Sequence, residues 1–285
     1  MKVAILGSTG MLGSMVRRYL SEQPEYDISV IDRLSFDAEA PFLEPILTDF
    51  LRGHDYAINC IGIIKPRIDE SSPVSVERAI RINALFPHAL ARAAEVSNCR
   101  VLQIATDCVY SGHYGEYTET SPHDAEDVYG KTKSLGEVRS PTVHHLRCSI
   151  IGPEPEGRPK DSLLEWFLGQ PAGSMLKGFT NHHWNGITTL AFAKICHGIM
   201  KKGIEMPQVQ HVVPRYSVTK AELLRFFASF YHREDVSIGG CEAATEVDRT
   251  LRTMDTSMNS MLWWAAGYGS RPYIQQMIEE LAAYK

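Results

Sequence analysis

The chain opens on an apolar run, Val3-Ala4-Ile5-Leu6, that runs straight into Gly7-Ser8-Thr9-Gly10-Met11-Leu12-Gly13 and then into a helical pattern from Met11 to Leu20. No other feature restricts the fold as tightly. In a strand-turn-helix of this kind the first glycine permits a tight turn, the second lets main chain approach a pyrophosphate, and the third lets helix and strand pack closely. A helix that starts there turns free N–H groups and the positive end of its dipole towards an anion. Strand, turn and helix agree, so Gly7, Thr9, Gly10, Met11, Leu12 and Gly13 are read as a dinucleotide-binding turn rather than a plain glycine loop.

The first half continues as alternating strands and helices, the pattern of parallel βαβ units. Strands are expected at Ile28–Ile31, Tyr56–Cys60, Val101–Ala105 and Val143–Arg147, with a long helix from about Ser75 to Val96 and a functional loop from Ser111 to Asp127. After Gly152 the segment Pro153 to Pro159 is turn-rich and unperiodic, which sets a boundary. The expected architecture is α/β. Residues 1–152 form a Rossmann-type doubly wound parallel sheet, completed by about 185–203, and 153–285 form mainly a smaller C-terminal α/β substrate-binding lobe. Helices are expected at Thr188–Met200, at Lys220–His232 with Leu223, Leu224, Phe227 and Phe230 inward, and at Pro272–Ala283 with the proline in its first turn.

Composition narrows the class of partner. The 285 residues are 44% hydrophobic and carry 29 Lys plus Arg against 34 Asp plus Glu, a net charge of −5 that lacks the basic excess of nonspecific nucleic-acid binders. No stretch approaches the roughly 18 uncharged apolar residues of a membrane span, and the N-terminal run is too short for a signal peptide. Cys60, Cys99, Cys108, Cys148, Cys196 and Cys241 are scattered without a CxxC pair, so they read as reduced thiols of a cytoplasmic protein with no metal site.

Asp32 ends the second strand nineteen positions beyond Gly13, where a carboxylate accepts hydrogen bonds from both adenine-ribose hydroxyls and repels a 2′-phosphate. Arg33 offsets part of that repulsion, so the cofactor is NAD or NADP with a lean to NAD. Further on, Tyr129-Gly130-Lys131-Thr132-Lys133 places a phenol and an amine on one helical face, one turn apart. An ammonium beside a phenol favours the phenolate and would lower a pKa of about 10. Thr106 stands at the carboxyl end of the fourth strand, the edge where ligands bind in open parallel sheets, and offers a hydroxyl to a substrate carbonyl. Asp107 is read as a turn or helix cap rather than a catalytic group.

The combination of GSTGMLG, INCIG at Ile58 to Gly62, INALFPHALA at Ile82 to Ala91, ATDCVYSG at Ala105 to Gly112 and VYGKTKSLGE from Val128 resembles the extended short-chain dehydrogenase/reductase family. Within it the chain is most similar to the dTDP-4-dehydrorhamnose reductase group, over about residues 1 to 152. The resemblance implies that Tyr129 is the general acid, that Lys133 binds the nicotinamide ribose and tunes Tyr129, and that Thr106 fills the Ser/Thr position of the catalytic set. It also implies that Asn59, Cys60, Ile61 and Gly62 line the cofactor, that Asn83 supports the active-site backbone, and that the enzyme reduces a nucleotide-linked keto sugar.

Two departures bear on the substrate. Sugar-nucleotide dehydratases of the superfamily place a glutamate after the Thr-Asp pair; Cys108 stands there, and a thiol is a poor replacement for a carboxyl, which disfavours dehydration. The reductases of the rhamnose pathway carry an aromatic residue just past the Arg-x-Ser of the fifth strand, where this chain has Ile150 and Ile151. Val109, and Asn181, Trp184 and Asn185 of the segment Gly178 to Gly186, are the candidates for substrate contact beside Thr106 and Tyr129; an Asn/Gly turn with a buried Trp184 is the competing reading of that segment. An epimerase of the same family and a non-catalytic NAD(P)-binding sensor are the alternatives to a reductase, and a homodimer is the expected assembly.

Overall fold

A computed structural model describes residues 1–31 and 36–284. In its first half, strand β1 (Lys2–Leu6), helix α1 (Met11–Ser21), β2 (Asp27–Ile31), α2 (Leu43–Leu51), β3 (Tyr56–Asn59), α3 (Pro73–Ile80), α4 (Phe86–Ser97), β4 (Arg100–Ala105), α5 (Val128–Leu135) and β5 (Val143–Arg147) follow one another. The second half adds β6 (Ile150–Ile151), α6 (Leu163–Leu168), β7 (Met175–Phe179), β8 (His182–Trp184), β9 (Ile187–Thr188), α7 (Thr189–Lys202) and β10 (Val209–His211). It ends with β11 (Val218–Thr219), α8 (Lys220–Phe230), β12 (Ser237–Cys241), β13 (Val247–Asp248), α9 (Thr256–Ala265) and α10 (Ile274–Ala283).

Strands β1 and β3 are apolar runs without polar alternation because both faces of the sheet are covered by helices. They sit inside a six-stranded sheet of order β10-β5-β4-β3-β1-β2, parallel at every pairing. The chain steps from β1 outward to β2 and then returns to β1's other side with β3, so the crevice between the carboxyl ends of β1 and β3 is the switch point where such sheets bind ligands. Two cores flank the sheet. One gathers α1, α7 and the second half, from Val3 to Leu281; the other is formed by α2 and α4 against β1 and β3.

Three elements differ from the sequence reading. Helix α2 was not expected, although Leu43, Leu47 and Leu51, spaced four apart, are its buried residues. The single helix expected at Ser75–Val96 starts earlier, capped by the Ser72 hydroxyl, and is interrupted by a π-helical turn at Arg81–Leu85. Pro272 lies outside α10, which begins at Ile274 behind Tyr273. Beyond the 185–203 segment, β10 also joins the parallel sheet, pairing with β5 as far as His211.

No helix among the described residues is long and apolar enough to cross a membrane.

Candidate functional site

A cavity of about 600 Å³ opens at the β1/β3 switch point and runs along the carboxyl ends of β4 and β5. Its first half is built by the glycine turn. Gly7 has φ +81°, and a Cβ there would stand 2.9 Å from Ile61 Cγ1 and 3.1 Å from the Cys60 carbonyl carbon, so the turn presses against the loop after β3. A Cβ on Gly13 would lie 2.1 Å from the Gly7 carbonyl oxygen; this glycine buries the helix against the turn instead of facing the cavity. Gly10 is the N-cap of α1 and provides no capping side chain. The first amides of α1 therefore stay available beside a wall formed by Gly7, Thr9, Gly10, Met11 and Leu12 on one side and Cys60, Ile61 and Gly62 on the other. An uncapped helix start beside a long groove fits the pyrophosphate of a dinucleotide. Asp32 and Arg33 lie outside the described residues.

The second half carries Thr106, Tyr129 and Lys133 on one wall. Thr106 directly follows β4; its Oγ1 accepts the Cys108 amide at 3.1 Å, starting a short 3-10 turn over Asp107–Val109, and donates to Asp107 Oδ1 at 3.2 Å. Helix α5 is capped by Asp127, which accepts the Gly130 amide at 2.7 Å. A Cβ on Gly130 would lie 2.3 Å from the Cys108 carbonyl oxygen, so only glycine lets α5 abut the turn and bring Tyr129 beside Thr106. One helical turn later Lys133 is buried and donates from Nζ to the Ile104 carbonyl at 3.2 Å. From the π-helical turn, Asn83 Oδ1 accepts the Ile63 amide at 2.9 Å, and its Nδ2 donates to Ile63 O at 3.0 Å and to Thr132 Oγ1 at 3.2 Å. That side chain ties the loop after β3 to α5.

The electrostatics correct one expectation. Burial pushes the Tyr129 phenol up from its ordinary value, with Cys108 adding to the rise and the Thr106 hydroxyl opposing it. The Lys133 ammonium is itself disfavoured by burial, partly restored by Glu137, and it is directed at the Ile104 carbonyl. Desolvation of a phenolate thus outweighs what a neighbouring amine returns. The phenol is held protonated, the form that donates a proton. Asp107 also departs from the capping role expected of it. Thr106 caps the turn, while the buried Asp107 carboxyl is raised by burial and drawn down by Arg249 and Lys220.

The proposed substrate contacts divide. Trp184 reaches the cavity wall, its indole N–H donating to Ser149 Oγ at 2.8 Å. Asn181 and Asn185 do not line the cavity: their amides bridge to main chain, Asn181 pairing both ways with Ala243 at 2.9 Å and Asn185 with Leu251 at 2.7 and 2.9 Å. Val109 is fully buried in a small core with Tyr110, Tyr117, Val213 and Leu251, not in the cavity. Lys220 and Arg158 are among the wall residues that escaped the sequence reading. Lys220, the first residue of α8, holds its ammonium 5.9 Å from the Trp184 ring centre, and Arg158 reaches the glycine turn. Thr219 and Glu222 form a capping box that marks the start of α8 in the sequence, but only the tertiary fold turns Lys220 into the cavity. No cluster of three or more metal-ligating side chains occurs among the described residues.

Comparison with known proteins places the chain in a family. A family profile described as RmlD substrate binding domain matches residues 1–151. Over 146 residues the chain is 25% identical to a dTDP-4-dehydrorhamnose reductase from Aggregatibacter actinomycetemcomitans, covering 48% of this chain and 45% of that protein. Over 142 residues it is 28% identical to a dTDP-4-dehydrorhamnose reductase from Mycolicibacterium smegmatis, covering 48% and 40%. The match thus spans less than half the length of these relatives. The fold extends further: the crystal structure of a dTDP-4-dehydrorhamnose reductase from Bacillus anthracis in complex with NADP superposes with a TM-score of 0.75 at 17% identity, over 98% of each chain. Because the profile covers more than half of the 285 residues, this chain belongs to the RmlD substrate-binding-domain family, within the extended short-chain dehydrogenase/reductases.

Proposed function

We propose that the protein is an NAD(P)H-dependent reductase of a nucleotide-linked keto sugar, of the 4-keto-6-deoxy class on which its relatives act by name. One observation carries the reading: Tyr129, Thr106 and Lys133 share one cavity with an uncapped, glycine-lined helix start. The cofactor, when bound, supplies hydride to a carbonyl carbon. Thr106 and Tyr129 then hold the oxygen on which negative charge develops, and Tyr129 delivers the proton from its Oη. A phenol kept neutral by burial is in the state required for that delivery. Lys133, fixed on the Ile104 carbonyl, orients the ribose that carries the nicotinamide. Residues 153–285 shape most of the sugar side, with Trp184 and Lys220 as its wall. The indole at 184 offers a stacking face on the side where Ile150 gives only an aliphatic one. A cytoplasmic setting accords with six unpaired cysteines; assembly as a homodimer is part of the same proposal.

The test is to mix the protein with NADH or NADPH and a panel of nucleotide-linked keto sugars while following the nicotinamide absorbance. Oxidation with a 4-keto-6-deoxy sugar supports the reading. A product epimeric to the substrate with no net cofactor oxidation would make it an epimerase. Cofactor binding without turnover of any sugar, unchanged in Tyr129→Phe, would make it a sensor.

A further inference from the structure

The segment from Gly152 to Ser162 crosses from the sheet to α6 as a strap pinned at its base, where Ser162 Oγ donates to the Gly152 carbonyl at 3.1 Å and the Glu154 amide donates to Glu165 Oε1 at 3.2 Å. Its C-terminal side is latched as well. Asp161 accepts from Arg67 Nε at 2.7 Å, joining the strap to the loop after β3. Between these two anchors Arg158 reaches into the cavity and donates from its guanidinium to Thr9 Oγ1, inside the glycine turn. A permanent cation is therefore set against the turn. Its partner there is a neutral hydroxyl. Of the nearby carboxyls, Asp161 pairs with Arg67 and Glu165 with Lys160, while Glu154, raised by burial and drawn down by Arg67 and Arg158, makes no ion pair with Arg158. A planar guanidinium matches a phosphate with two parallel N–H donors, which a hydroxyl does not use.

We propose that Arg158 is a pyrophosphate ligand of the bound dinucleotide, exchanging Thr9 for phosphate oxygens so that the anion is held between the α1 N-terminus and the strap. This rests on the dinucleotide site proposed above and adds a residue from beyond the glycine motif. The Arg67–Asp161 pair fixes the strap's reach beforehand, so little rearrangement is needed.

Binding measured by calorimetry on the full chain tests it, with NADH, NADPH, ADP-ribose and adenosine as probes of wild type, Arg158→Ala and Arg158→Lys. Loss of a charge-assisted contact predicts about ten- to a hundredfold weaker binding of NADH and ADP-ribose in R158A. Adenosine affinity is expected to stay unchanged, and R158K to recover part of the loss. R158A binding NADH within twofold of wild type (a margin of roughly 0.4 kcal/mol) would overturn the assignment. So would equal weakening of adenosine, which marks a strap that only covers the groove, or weakening confined to NADPH, which moves the contact to the 2′-phosphate. Failure of the wild type to bind any dinucleotide would instead strike the proposed function itself.

Discussion

Tyr129 shows how a residue legible in the sequence acquires its chemistry only from its surroundings. The four-residue spacing places Tyr129 and Lys133 on one face of α5, and the structure has them so. The direction of the phenol's pKa was not legible, because the sequence does not state how much water is excluded; burial raises it where a neighbouring amine was expected to lower it. Replacing Tyr129 by Phe removes the proton donor while keeping the ring. Turnover is expected to fall about a hundredfold or more with dinucleotide affinity nearly unchanged, measured by steady-state rates beside calorimetry. Lys220 is the complementary case, a cavity cation that no motif announces. Lys220→Ala is expected to raise the KM for the nucleotide sugar about tenfold with a smaller change in kcat, as fits a group that holds substrate without taking part in proton transfer.

At the scale of elements, α5 is held in place by groups far from it in the sequence. The π-helical turn displaces Asn83 so that one side chain satisfies both polar groups of Ile63 and reaches Thr132. Asn83→Ala leaves a buried amide and carbonyl unpaired and is expected to destabilise the fold by about 2–3 kcal/mol, read from denaturant midpoints, with turnover falling alongside. Behind α5, Arg147 is buried and places its five N–H donors on Glu137, Tyr110, His211 and His123. Both imidazoles accept from a cation, so both must be neutral. His211 is completed by its Nδ1–H donating to the Arg252 carbonyl at 2.8 Å. Burial and Arg147 hold the pKa of His211 below its ordinary value, and burial does the same for His123. The unfolded chain therefore takes up protons first on acidification, and the stability from these histidines, fully present above pH about 6.5, is lost as pH falls below it. Melting temperatures between pH 7.5 and 5 are expected to fall, and the slope to flatten in His211→Asn; an unchanged slope in that variant would contradict this account. Apolar runs located β4 and β5, and the Tyr129–Lys133 spacing pointed to α5, but a buried arginine fork joins side chains whose proximity is set by the sheet order, which local pattern does not encode.

On the scale of the whole molecule, the glycine turn and the strand ends specified where a cavity must lie, since a parallel sheet that reverses direction at β1 leaves a crevice there. Its far wall was not legible. Trp184 lines it, yet the neighbouring asparagines serve as main-chain mimics that clamp residues 181–185 to 243–251, a use of Asn that a turn-rich sequence does not distinguish from ligand contact. Both halves contribute to one apolar core, which runs from Val3 to Leu281. The central claim is that this cavity passes hydride to a sugar carbonyl. Its most direct test supplies nicotinamide cofactor deuterated at C4 on the transferred face, together with a nucleotide-linked 4-keto-6-deoxy sugar, and locates the label by mass spectrometry. Deuterium on the former carbonyl carbon with wild type, and none with Tyr129→Phe in the same time, is the predicted result. Product formed without label, or label transferred equally by the phenylalanine variant, would contradict it.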